Sequence, residues 1–113
     1  MHEMAIAQGI LDIALDAAAG HGAAKVTGIK VLTGELTGIV PEALEFGFGA
    51  LAAGTPAAGA CLTIKVIPLA GRCRECGHED RVNRYRFVCG KCGSFAVEIV
   101  SGRELTVESV EVE

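Results

Sequence analysis

Apolar residues recur along the chain first with a helical and then with an extended period. Residues 4 to 18 set Ile6, Ala7, Ile10, Ile13, Ala14 and Ala17 on one face, while Gln8, Asp12 and Asp16 step by four along another. That spacing predicts an amphipathic helix, ended by Gly20 and Gly22. Val26 to Leu32 reads as a strand, with Ile29 and Val31 flanked by Thr27 and Lys30, closing at Gly34. A second helix is predicted from Pro41, a residue suited to the first helical position, with the stripe Leu44, Phe48, Leu51 and Ala52. Gly47 and Gly49 inside it each cost about 1 kcal/mol relative to alanine. After the loop Gly54-Thr55-Pro56 the alternation returns from Cys61 to Pro68, with Leu62, Ile64 and Val66 on one face and Cys61, Thr63 and Lys65 on the other.

Two further strands are predicted, a short one over 95–100 and a longer one over 105–112. In the longer one Leu105 and Val107 share one parity and Val110 and Val112 the other, so either a bulge near Glu108 or Ser109 or burial on both faces is expected. A lone strand at 105–112 needs a partner, and the simplest one is the sheet made by 26–32 and 61–68. The expected fold is therefore α/β, of the α+β kind: about three strands and two helices, interrupted by an inserted zinc-ribbon-like segment. The expected domains are 1–70 plus 102–113, and 71–101.

The inserted segment carries Cys73-Arg74-Glu75-Cys76 and Cys89-Gly90-Lys91-Cys92. This C-x2-C-x12-C-x2-C frame has the ligand spacing of a tetrahedral thiolate site, in which each half presents two sulfurs at about 2.3 Å from one metal. Gly77 and Gly93 follow the two halves, where a tight knuckle turn calls for a positive φ. Four thiolates leave a tetrahedral ion no open position, so Cys73, Cys76, Cys89 and Cys92 read as structural zinc ligands. His78 is expected to sit outside them. Cys61 is expected to be a packed small side chain, and Tyr85 and Phe87 to close the apolar side of the hairpin.

Composition supports a metal-stapled unit. The 113 residues are 50% hydrophobic but only 4% aromatic, so the core is built from small aliphatic side chains and gains from a metal staple. Net charge is −4, unevenly spread. Residues 72 to 93 hold six basic residues against three acidic ones, leaving four basic and eleven acidic elsewhere. The loaded metal centre would bring that segment close to neutral, weak footing for nucleic acid. The apolar runs are too short to span a membrane, and the first twenty residues lack the basic start of a secretory signal. A reducing, cytoplasmic setting is expected, with thiols rather than disulfides.

The chain opens Met1-His2-Glu3. The Met1 amine, the backbone nitrogen and imidazole of His2, and the backbone nitrogen of Glu3 can close successive chelate rings around one ion. An all-nitrogen, near-planar set favours Cu(II) or Ni(II) over zinc. Binding displaces protons, so affinity should rise with pH. His21, between glycines at a helix end, is explained by its favourable place near the helix C-terminus.

Taken in order, Met1-His2-Glu3, an amphipathic helix, a strand ending near Gly34-Glu35-Leu36, the segment Pro41-Glu42-Ala43-Leu44 and the two C-x2-C pairs resemble the HypA/HybF family of hydrogenase-maturation nickel metallochaperones from end to end. The resemblance implies an α/β nickel-binding domain carrying a zinc domain. It implies His2 as the nickel ligand, with the Met1 amine and Glu3 assisting, and delivery of Ni2+ to the large-subunit precursor of [NiFe]-hydrogenase. It further implies a HypB-type GTPase as partner, urease maturation proteins in some organisms, and a monomer or weak homodimer. Some members carry a carboxylate near the position of Val40 that assists the nickel site; Val40 supplies none, and Glu35 and Glu42 are not expected to replace it. No phosphate-binding loop and no paired catalytic side chains can be placed, so an enzyme is not expected. The alternative is a zinc-ribbon nucleic-acid-binding or adaptor protein, favoured by Arg81, Arg84 and Arg86 and disfavoured by the acidic remainder.

Overall fold

The computed structural model describes residues 3 to 113; Met1 and His2 lie outside the described residues. In chain order the elements are helix α1 (Glu3–Gly20), strand β1 (Val26–Gly34), a 3-10 turn (Glu35–Thr37), helix α2 (Pro41–Ala52) and strands β2 (Cys61–Ile67), β3 (Ala70–Cys73), β4 (Glu79–Arg81), β5 (Val97–Ser101) and β6 (Leu105–Val112). They form two three-stranded sheets, ordered β2-β1-β6 and β4-β3-β5. The long C-terminal strand joins the sheet of 26–34 and 61–67, as the sequence predicts.

The chain divides into two compact units, one of Met1–Leu32, Ile39–Lys65 and Thr106–Glu113, the other of Thr33–Gly38 and Val66–Leu105. In the first, α1 packs on α2 over a core of small and branched aliphatics, among them Ala7, Ile10, Leu11, Ala14, Val26, Val31 and Leu44, together with Phe48. The buried stripe of α1 is Ala7, Ile10, Leu11, Ala14 and Ala18, a face rotated from the expected one. Ile13 is 51% exposed, because the face that buries Leu11 lies two residues, about 200° of helix rotation, away from position 13. Gly47 has a packing role, since a Cβ there would lie 2.7 Å from the Met4 sulfur of α1.

β6 begins its pairing beside β1 with Gly34 N–H donating to the Glu104 carbonyl at 2.6 Å, and ends with Glu113 N–H donating to the Lys25 carbonyl at 2.8 Å. It remains one continuous strand through Glu108 and Ser109, and its half-buried positions change parity between Val107 and Val110. On β2, Leu62 and Ile64 are half-buried, but Val66 is 47% exposed and breaks the expected alternation. Cys61 is exposed, not packed.

The second unit reaches beyond the cysteine-bearing stretch 71–101. Glu35 explains part of that: its carboxylate accepts the Leu69 N–H at 2.9 Å and faces the Arg81 guanidinium at 3.4 Å. Gly34 and Gly102 also meet so closely that a Cβ on Gly34 would collide with the Gly102 carbonyl, and Gly102 itself has φ +111°. Two sequence-distant glycines thereby let the backbone segments touch. In the small sheet β3 pairs antiparallel with both β4 and β5, matching Gly71 with Asp80 and with Ile99.

Candidate metal centre

β3 delivers Cys73 and the two knuckles deliver the rest. Both knuckles use the same backbone pattern. In the first, Cys73 N–H donates to the His78 carbonyl and Gly77 N–H to the Cys73 carbonyl, each at 2.9 Å. In the second, Cys89 N–H donates to the Ser94 carbonyl and Gly93 N–H to the Cys89 carbonyl, again at 2.9 Å. Gly77 and Gly93 both have φ +76°, the left-handed conformation that glycine adopts without steric cost. The turns aim amides at sulfur: Cys76 N–H points to the Cys73 Sγ at 3.5 Å, and Lys91 and Cys92 N–H to the Cys89 Sγ at 3.4 Å.

The four Sγ atoms lie within 4.8 Å of one another, with Cys73 to Cys92 at 3.6 Å and Cys76 to Cys89 at 3.5 Å. A tetrahedron with bonds of about 2.3 Å requires sulfurs roughly 3.8 Å apart, whereas a disulfide requires about 2.05 Å. The spacing fits four ligands on one ion and fits no disulfide. Each knuckle gives one buried sulfur, Cys73 or Cys89, and one exposed, Cys76 or Cys92.

Ionisation follows the same geometry. The amides of Cys92 and Lys91 draw Cys89 down to about 6, and the Cys76 amide lowers Cys73. The Ser94 amide favours the Cys92 thiolate, but the Cys73 sulfur, burial and the other two sulfurs outweigh it and push Cys92 up to about 12. Cys76 is raised in the same way, with burial and the sulfurs of Cys89 and Cys73 overcoming the His78 amide. Backbone donors thus stabilise two thiolates, and the charge of those opposes ionising the other two. A dication removes that conflict.

The remaining expected site residues fall elsewhere. His78 faces the Asp80 carboxylate at 3.5 Å. Glu3 is the first residue of α1, Glu42 lies exposed in the first turn of α2, and His21 is exposed beyond the end of α1. The nickel assignment to Met1 and His2 lies outside the described residues. Tyr85 does not close the hairpin, being 87% exposed, while Phe87 is half-buried. Sequence reasoning missed the turn that holds Tyr85 outward, in which Asn83 Oδ1 accepts the Tyr85 N–H at 2.8 Å; an asparagine two residues before an exposed position is the signal that could have shown it. Among the described residues no helix is long and apolar enough to cross a membrane.

Residues 1–112 match the family described as hydrogenase/urease nickel incorporation, metallochaperone, HypA. The chain is 45% identical to the hydrogenase maturation factor HypA of Chlorobaculum tepidum and 42% identical to that of Geobacter sulfurreducens, in each case over 113 residues and the full length of both chains. It shares its fold with a solution structure of the Ni metallochaperone HypA from Helicobacter pylori, at TM-score 0.68 and 24% identity over 99% of this chain and 97% of that one. A second solution structure, of HypA protein, aligns at TM-score 0.75 and 24% identity, covering 100% and 97%.

Proposed function

The chain belongs to the HypA family of hydrogenase/urease nickel-incorporation metallochaperones, which are not enzymes, and we propose that it carries one Ni2+ on Met1, His2 and Glu3 and delivers it for [NiFe]-hydrogenase maturation. The observation that carries this reading is the family match, which runs from the first residue through both cysteine pairs. The helix start supports it. Glu3 opens α1, and the first four N–H groups of a helix have no intrahelical acceptor, so the Glu3 nitrogen can serve a metal without breaking a helical hydrogen bond.

In this reading Cys73, Cys76, Cys89 and Cys92 hold a resident Zn2+, whose donor set and spacing they suit. Zinc would keep the two knuckles together; nickel is the cargo. The receiving partners are the hydrogenase large-subunit precursor, a HypB-type GTPase and, in urease-producing cells, urease maturation proteins, all in a reducing cytoplasm.

Calorimetry of Ni2+ with untagged, zinc-loaded protein tests the site. One Ni2+ per chain is expected, lost in His2→Ala and when a tag blocks the Met1 amine. Affinity should also collapse near pH 5, since an unperturbed imidazole protonates at about 6.5. Nickel binding indifferent to all three changes rules out these ligands.

A further inference from the structure

Three of the second unit's seven basic residues face carboxylates within it, and two of the remaining four sit together in one turn. Arg72 faces Glu79 at 3.6 Å, Arg74 faces Glu98 at 3.4 Å, and Arg81 faces Glu35 at 3.4 Å. Arg84 and Arg86 face no carboxylate among the described residues. Between them Tyr85 is 87% exposed, with the Arg84 guanidinium 5.6 Å from its ring centroid. The backbone of this turn is fixed without help from those side chains: Arg86 N–H donates to the Asn83 carbonyl at 3.1 Å, and Tyr85 N–H to the Asn83 side chain at 2.8 Å. An aromatic ring held in water by a closed turn adds nothing to the core. It does offer contact area at little entropic cost, and tyrosine and arginine are both among the residues enriched where binding energy concentrates. Beside the turn lies a cleft of about 200 Å³ whose polar walls come from Arg81, Asn83 and Arg86, together with His78 and the Asp80 carboxylate that faces it.

We propose that the turn 83–86 is a docking site for an acidic segment of a protein partner, with Tyr85 as its apolar anchor and Arg84 and Arg86 as its carboxylate binders. Guanidinium groups bind carboxylates through paired hydrogen bonds, and two free arginines flanking one ring suit a short run of acidic and apolar residues. A nucleic acid fits less well. The second unit holds seven basic residues against six acidic ones, and the first unit three against eight. The near balance within the second unit gives a long polyphosphate little net attraction, whereas a few carboxylates need only the two guanidiniums of the turn.

The proposal rests on the reading that the chain serves protein partners, but its test needs no nickel. The probes are a fluorescein-labelled peptide of mixed Glu, Asp and Leu, its Lys-containing counterpart, and a single-stranded DNA oligonucleotide, each titrated into zinc-loaded full-length protein. The acidic peptide alone should bind, more weakly as salt rises. Arg84→Ala/Arg86→Ala and Tyr85→Ala should each weaken it at least about tenfold, with Tyr85→Phe retaining most of the affinity. Arg72→Ala/Arg103→Ala, which removes the same charge elsewhere in the unit, should leave it nearly unchanged. Equal weakening by both double variants, no binding of the acidic peptide, or tighter binding of the oligonucleotide overturns the site. Unchanged zinc content confirms that each variant is folded. Nickel calorimetry on Arg84→Ala/Arg86→Ala should match the parent protein, so failure of the nickel site and failure of the docking site read out separately.

Discussion

A glycine inside a helix lowers its stability by about 1 kcal/mol relative to alanine, and α2 carries two, Gly47 and Gly49. A Cβ on Gly49 meets nothing within 4 Å, so Gly49→Ala should raise unfolding stability by close to that amount. Gly47→Ala should gain less, because the Met4 sulfur must first move aside; thermal unfolding of the two variants side by side separates them. Glu35 is a second residue whose role splits cleanly. Glu35→Gln keeps an oxygen for the buried Leu69 N–H and gives up only a half-exposed ion pair with Arg81, a loss of about 0–1 kcal/mol. Glu35→Ala leaves that N–H without its acceptor and should cost about 1–3 kcal/mol, measured by denaturant titration of the zinc-loaded protein. The sequence showed Glu35 only as a carboxylate near the end of a strand. Its partners are 34 and 46 residues away, and no local pattern encodes such a pair. The four cysteines were legible because their chemistry is written in short spacings, and the positive φ of Gly77 and Gly93 follows from the same local need.

α2 shows how an element can be legible while its details are not. Pro41 and the stripe Leu44, Phe48, Leu51 and Ala52 marked its start and its inner face; the start holds, and Leu44, Phe48 and Ala52 are buried while Leu51 is half-buried. Its N-cap, however, is Val40, in the extended conformation of a cap (φ −89°, ψ 113°) but with no side-chain hydrogen bond to offer. Val40→Asp should therefore stabilise the helix by about 1 kcal/mol through capping and the helix dipole, read as a higher unfolding midpoint in protein free of nickel. α1 was legible as a helix, but its orientation was not. Ile13 and Leu11 both fit an apolar face, and only packing against α2 decides between them. The segment 71–101 followed the same rule: the two C-x2-C pairs marked it, yet Tyr85, expected inward for want of other apolar material, points outward because the Asn83 turn fixes it there.

At the scale of the whole molecule the two units are held by different physics. The first buries a continuous, largely aliphatic cluster drawn from α1, β1, α2 and the turn at Ala57. Among the described residues of the second, Leu69 is the one large aliphatic side chain that is fully buried, and the other buried side chains include the sulfurs of Cys73 and Cys89. A unit with so little apolar area depends on its metal, and structural zinc in small sites contributes roughly 10–16 kcal/mol of apparent binding free energy, most of it folding free energy. Chelation of zinc should therefore collapse the chemical-shift dispersion of residues 71–101 while α1 and α2 keep their helical circular dichroism. Cys73→Ser should do the same without chelator, since a hydroxyl at a buried ligand position does not replace a thiolate. Equal loss of helix and hairpin signals would mean that the aliphatic cluster cannot stand without the metal. Survival of α1 and α2 would show instead that the unit bearing Glu3 keeps its fold while the hairpin is unfolded.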